Sequence, residues 1–440
     1  MSERIFLLGG RGSRRALLSN FAGAAALPFA VAAPPKSGFP IRDGQRVMFL
    51  GDSITNAGGY VQYLDLYLRL RHPSWNVELI NLGLSSETVT GLTESDHPFP
   101  RPNLHERLDR ALAKAKPNLV FACYGMNDGI YHPLDESRFS KYREGIARLV
   151  ERVRAAAAQL ILMTPPPFDA GPIADRLLPF GAANFGYKTP FVGYDDVLAE
   201  YARWLVRQYG KSLPVIDLHT SLKAHSSLQR TGNPKYTLAP DSVHPNATGQ
   251  WLIARELLVS LGATTQQDWA GLDARALTAK GGVVTEFRKV QSAYEFKWTT
   301  RPPLPRDSAW DQSAPDLDPR NGFNNQHRLV ISGLPHGRYT LWEGDRVLGS
   351  MLSAQLVGGL DLRNYPELIT NRRAQEVLKL VRQRERLLSA AWLTAVGHQR
   401  PQTPAGLPLD EARAKADPLD DQLRKLCEPV TLAMKLVQMG

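Results

Sequence analysis

Four short fragments carry residue types that can do chemistry together. Asp241-Ser-Val-His244 places a carboxylate and an imidazole three residues apart on one turn, where the two can meet side by side. A serine hydroxyl is a poor nucleophile until a base takes its proton, and an imidazole base needs a carboxylate to fix its tautomer and steady the imidazolium. Gly51-Asp52-Ser53 offers such a hydroxyl directly after an apolar run. Asn81-Leu-Gly83 and Gly125-Met-Asn127-Asp128 add a glycine that lets backbone approach a ligand and a side-chain amide, both suited to meet a developing oxyanion. Each fragment taken alone also has a plain structural reading. These are a strand-ending turn with a helix-capping serine, an ordinary glycine turn, a Gly-x-Asn-Asp loop, and a helix N-terminus with an incidental histidine.

The elements around the fragments decide between these readings. Short apolar, β-branched runs recur at 46–50, 77–80, 118–123, 159–163 and 214–218, alternating with helical stretches at 60–71, 104–116, 138–158, 195–209 and 247–261. Near-continuous apolar strands separated by helices predict an α/β fold with a five-stranded parallel sheet buried on both faces, because right-handed crossovers put the helices there. In such a sheet ligands bind beyond the carboxyl ends of the strands. Ser53, Gly83 and Asn127 each follow a predicted strand. Asp241 and His244 precede the last helix, whose first turn suits Pro245. All four fragments therefore converge on one crevice.

In this arrangement the sequence resembles the SGNH (GDSL-like) hydrolase superfamily over about residues 44–262, with its four blocks present as Ser53, Gly83, Asn127 and His244. The resemblance implies a three-layer α/β/α sandwich with a flavodoxin-like sheet, and acyl transfer to water through an acyl-serine. Ser53 would be the nucleophile, His244 the general base and then acid, and Asp241 the orienting carboxylate. The Ser53 N–H, the Gly83 N–H and the Asn127 amide would form the oxyanion hole. No cofactor or metal is expected, and His72, His97, His105, His132, His219 and His225 show no ligand spacing. The Asn246-Ala-Thr sequon overlaps the expected catalytic turn and is read as coincidence.

An exported member of this superfamily resembles most often an esterase that removes acetyl groups from polysaccharide, or a lipase-like enzyme acting on lysophospholipid. The stiff Thr164-Pro-Pro-Pro-Phe168 loop and Phe180, Phe185, Tyr187, Lys188, Phe191 and Tyr194 suit sugar stacking at least as well as lipid, and equally suit packing within their own loop. An acylated carbohydrate is the expected substrate, with the lipid ester and a non-catalytic protein on a hydrolase fold as alternatives.

The 440 residues suggest two to three domains, and 43% hydrophobic with 22% charged residues excludes a disordered chain. The net charge of +10 is too dilute, without a Lys/Arg block, to argue for nucleic acid. Arg4, Arg11, Arg14, Arg15 and Lys36 stand against Glu3 in the first 40 residues, which hold much of that surplus. Residues 1–32, with Arg14-Arg15, a mildly apolar Ala-rich segment and small residues before Pro34, read as a twin-arginine-like export signal. The expected destination is the periplasm or beyond, without stable membrane insertion. Cys123 and Cys427 are too few for a disulfide framework or a CxxC zinc site.

The expected domains are thus 1–32, a hydrolase domain at 41–265, and a smaller accessory α+β region at 270–440 docked on it. In the last, strands are predicted at 283–288, 294–298, 328–332, 338–342 and 346–348, with a long loop over 301–325 and helices over 371–396 and 419–439. Trp298, Trp310 and Trp342 are candidates either for a glycan cleft or for core packing.

Overall fold

A computed structural model describes residues 38–263, 268–311, 313 and 327–439. The expected export signal and the later part of the 301–325 loop lie outside these residues.

Five apolar segments form a parallel sheet: β1 (Arg46–Gly51), β2 (Glu78–Asn81), β3 (Leu119–Cys123), β4 (Gln159–Met163) and β5 (Val215–Ile216), in the order β2-β1-β3-β4-β5. Phe49 pairs with Asn81 on one side and with Phe121 on the other. Every residue of β3 is buried, which is why the strand reads as an unbroken apolar run rather than an alternating one. The chain leaves β1 toward β2 on one side and returns to β3 on the other. This reversal opens a crevice at the carboxyl ends of β1 and β3.

Helices α1 (Ser53–Asn56), α2 (Gly59–Arg71), α3 (Leu108–Ala115), α4 (Glu136–Ala155), α5 (Tyr194–Tyr209), α6 (Leu218–Arg230) and α7 (Ala247–Ser260) connect and flank the strands, giving the α/β sandwich. Helix α6 cuts short the strand expected over 214–218, because Asp217 caps it by accepting the Thr220 N–H.

The C-terminal part contains two sheets. One holds β6 (Trp269–Asp273), β7 (Thr278–Gly281), β10 (Arg328–Ser332) and β13 (Leu360–Asp361); the other holds β8 (Val283–Val290), β9 (Ala293–Thr300), β11 (Arg338–Glu343), β12 (Arg346–Leu352) and β14 (Val430–Gln438). Helices α8 (Ser353–Gly358), α9 (Ile369–Val396) and α10 (Leu409–Leu426) complete it. The helix expected over 419–439 is corrected here. It ends at Leu426, and β14 runs between β11 and β9 with Leu432, Met434 and Leu436 turned into the core at every second position. That period of two outweighs the helical reading of a short apolar run.

Packing divides this part between two cores. Phe296, Trp298, Ile331, Leu341 and Leu432 build a core of their own, whereas Val377, Val381, Leu388 and Trp392 of α9 and Leu423 of α10 join the core of the sandwich. Helix α2, buried on nearly every face, accordingly lies between α7 and α9. Trp298 and Trp310 are core residues, the latter stacked on Trp251 at 4.4 Å between ring centres with its Nε1 donating to the Tyr63 hydroxyl.

Candidate active site

Ser53 opens α1 directly after β1. The buried Asp52 caps this short helix, its Oδ1 accepting the Ile54 N–H at 2.9 Å. Burial pushes the Asp52 carboxyl up to about 6, against the pull of that N–H and of His244. Ser53 Oγ lies 2.7 Å from His244 Nε2, and His244 Nδ1 lies 2.6 Å from Asp241 Oδ2. With Nδ1 facing a carboxylate, a neutral imidazole keeps its proton there and leaves Nε2 to accept from the serine.

The turn that carries the pair is local. Asp241 Oδ1 accepts the Val243 and His244 N–H groups at 3.1 and 2.7 Å, and Ser242 between them adopts φ 76°. Burial alone would raise the Asp241 carboxyl, but the His244 N–H, the His244 imidazole and the Val243 N–H together hold it below the usual carboxylate range, so it remains an anion. Both side chains are open to solvent, Asp241 at 57% and His244 at 47%. Pro245 lies just ahead of α7 rather than inside it, because Asn246 is the cap: its Oδ1 accepts the Gly249 N–H at 3.0 Å.

Asn127 follows β3 and is buried. Its Nδ2 donates to the Glu87 carbonyl at 3.2 Å and its Oδ1 accepts from the Tyr131 hydroxyl at 3.2 Å. That fixes the amide and leaves a second Nδ2 hydrogen for the cleft.

Gly83 is displaced from its expected role. Its N–H is already given to Asn81 Oδ1 at 2.9 Å, and a Cβ there would collide with the Thr55–Asn56 backbone. The glycine permits close packing beneath α1 and does not line the cleft. Ser86, three residues on, does line it. It sits at φ 68°, in the left-handed region that costs an L-residue about 1–2 kcal/mol, and its N–H has no acceptor among the described residues.

Several supporting residues escaped the sequence reading. Glu87 takes two hydrogen bonds from Arg107, at 2.5 and 2.7 Å, and one from the Tyr124 hydroxyl at 2.6 Å, all buried. Arg107 also reaches the Leu82 carbonyl. Arg101 pairs with Glu94, donates to the Ser86 carbonyl at 3.3 Å and lies over the Tyr131 ring. Asp128, fully buried, is raised to about 7 by burial, although its Oδ1 accepts the Val89 and Thr90 N–H groups. The polar run Ser85-Ser86-Glu87-Thr88 after a buried strand was the available signal.

Ser53, Ser86, Arg101, Asn127, Asp241 and His244 border a cleft of about 480 Å³ whose far walls include Phe99, Tyr131, Phe168 and Tyr187. Of the aromatic residues expected here, Tyr187 lines it, Phe185 and Tyr194 are buried, and Phe180 is 80% exposed. Among the described residues no group of three or more His, Cys, Asp or Glu side chains is placed to hold a metal, and no helix is long and apolar enough to cross a membrane.

Known proteins share this framework. The acetylxylan esterase of Geobacillus stearothermophilus is 24% identical over 244 residues, covering 50% of this chain and 96% of that enzyme. The solved structure of a gut microbial diltiazem-metabolizing enzyme superposes with a TM-score of 0.71 at 17% identity, over 93% of this chain and all of that one, so the fold extends through the C-terminal sheets as well. The family model of GDSL-like lipases and acylhydrolases matches residues 49–252, from within β1 into α7, and this domain is that of an SGNH-type carboxylic ester hydrolase.

Proposed function

We propose that the protein hydrolyses short acyl esters, acetyl esters of carbohydrate foremost, through an acyl-serine on Ser53. The observation that carries this reading is the unbroken line from Ser53 Oγ through the His244 ring to Asp241 Oδ2, at 2.7 and 2.6 Å. His244 Nε2 takes the serine proton as Oγ attacks the ester carbonyl, and the imidazolium, steadied by Asp241, returns that proton to the departing alkoxide. The same nitrogen then deprotonates a water that cleaves the acyl–Oγ bond, and serine recovers its proton. The tetrahedral oxyanion is met by the Ser53 N–H, the free Asn127 Nδ2 hydrogen and, in place of Gly83, the Ser86 N–H.

The similarity to an acetylxylan esterase supports acetyl carbohydrate as substrate. So does the lining of the cleft, where the rings of Phe99, Tyr131 and Tyr187 alternate with cationic and hydroxyl groups, a surface suited to stacking on sugars and binding their hydroxyls. Initial rates on p-nitrophenyl acetate and octanoate test the acyl preference, and acetate release from acetylated glycans tests the alcohol. Acetate is expected to be the faster ester, and a fluorophosphonate is expected to label Ser53. Faster octanoate hydrolysis would replace the reading with the lipase-like one, and an unlabelled Ser53 would remove the serine mechanism.

A further inference from the structure

The cleft is larger than an acetyl group requires, so most of it faces the alcohol portion of the ester. Its charges are lopsided. Arg101, Arg176 and Arg400 line it, against the single carboxylate of Asp241, which is already engaged by His244; His97 lines it too, but burial lowers its basicity and it adds no fixed charge. Arg101 is cancelled by the buried Glu94, with Nε and Nη2 at 2.6 and 2.5 Å from its two oxygens. Arg176 and Arg400 form no ion pair among the described residues.

Arg400 comes from the connection between α9 and α10, so the C-terminal part of the chain supplies a wall of the cleft. Its Cζ lies 5.4 Å from the centre of the Phe99 ring, which forms a T-shaped pair with His97. Nη1 is held by Thr403 Oγ1 at 3.1 Å and the Pro401 carbonyl at 3.4 Å. Nε is buried and makes no hydrogen bond. The Nε–Nη2 edge is the side of a guanidinium that takes a planar oxyanion through two parallel hydrogen bonds, and here neither nitrogen has a hydrogen-bond partner among the described residues. A buried N–H without an acceptor is unfavourable unless a ligand supplies one.

We propose that Arg400, assisted by Arg176, is an anion subsite for a carboxylate or phosphate on the alcohol portion of the substrate, and thereby sets a preference for acidic over neutral acetylated sugars. The inference rests on the esterase reading above, and it assigns the C-terminal region a part in specificity. The ring of an acidic sugar stacked near Phe99 brings its anionic group to the guanidinium that already lies against that ring.

The test uses the full chain and three acetylated probes of matched size: a neutral xylo-oligosaccharide, one bearing a uronic acid, and a sugar phosphate. The wild type is expected to favour an anionic probe, and Arg400→Gln to lower the anionic-to-neutral ratio of kcat/KM about tenfold, mainly through KM, with partial rescue in Arg400→Lys. Added salt should erode the preference. Whichever anionic arm responds identifies the group as carboxylate or phosphate. The same probes titrated calorimetrically into Ser53→Ala, with and without Arg400→Gln, read the subsite independently of turnover. If Arg400→Gln leaves both the ratio and the binding unchanged, the subsite does not exist. If anionic probes bind through Arg400 but release no Ser53-dependent acetate, the subsite stands and the esterase reading falls.

Discussion

The two sides of the cleft are built on opposite plans. On the serine side, Asp241 and His244 are about half exposed and are aimed by hydrogen bonds that span two or three residues of one turn. On the oxyanion side, Asn127 and the Ser86 turn rest on buried side chains brought from far along the chain, with Glu87 and Arg107 twenty residues apart and Glu87 and Tyr124 thirty-seven. The division suits what each side would do in the proposed mechanism. Groups that shuttle protons must reach both substrate and water, whereas groups that only present a fixed dipole work best where nothing has to reorganise when charge develops.

Substitutions at the two sides should therefore fail in different ways. Ser53→Ala is expected to lower kcat by about 10⁴–10⁶ on an aryl acetate with the melting temperature nearly unchanged, since little besides the His244 contact is removed. Comparable turnover in that variant would refute the nucleophile assignment. Arg107→Leu should do the reverse and act first on stability. It strands the Glu87 carboxylate in the interior, a loss of about 3–5 kcal/mol measurable by urea unfolding. A variant as stable as the parent would show that the buried network is ornamental and dissolve the contrast.

Asn127→Ala lies between these extremes. Removing one oxyanion donor typically lowers kcat about 10²–10³-fold. Because the donor matters more to the tetrahedral intermediate than to the bound ester, KM should move little. An unchanged kcat in a folded variant would take Asn127 out of the mechanism.

The same contrast explains what was legible in the sequence. The five strands announce themselves because both faces of the sheet are buried, and Ser53, Asp241 and His244 because each sits in a short fragment beside a strand end or helix start. Glu87, Arg101 and Arg107 carry no such mark: their partners are set by how loops meet in three dimensions, and in sequence they are ordinary charged residues. Arg400 is further removed still, 347 positions after the serine whose cleft it borders. The 430–438 strand was hidden for another reason. Its alternation is a handful of residues long and follows directly on a helix, so a helical period extends over it until β9 and β11 are seen on either side.

Gly83 and Ser86 sharpen the contrast at its finest grain. Glycine was expected where backbone must approach the oxyanion, yet Gly83 is needed for the space its missing Cβ leaves under Thr55 and Asn56, while the left-handed residue on the cleft wall is a serine. Gly83→Ala should therefore push α1 and Ser53 out of place and lower stability and activity together. Ser86→Gly should do neither, because the N–H stays and the strain at φ 68° is relieved. A gain of up to about 1 kcal/mol is expected, partly offset by the greater freedom of glycine in the unfolded chain, with kcat within a few-fold of the parent. If Ser86→Gly instead abolished turnover while remaining folded, the working group there would be the serine hydroxyl, and the oxyanion wall would owe more to side chains than to its backbone.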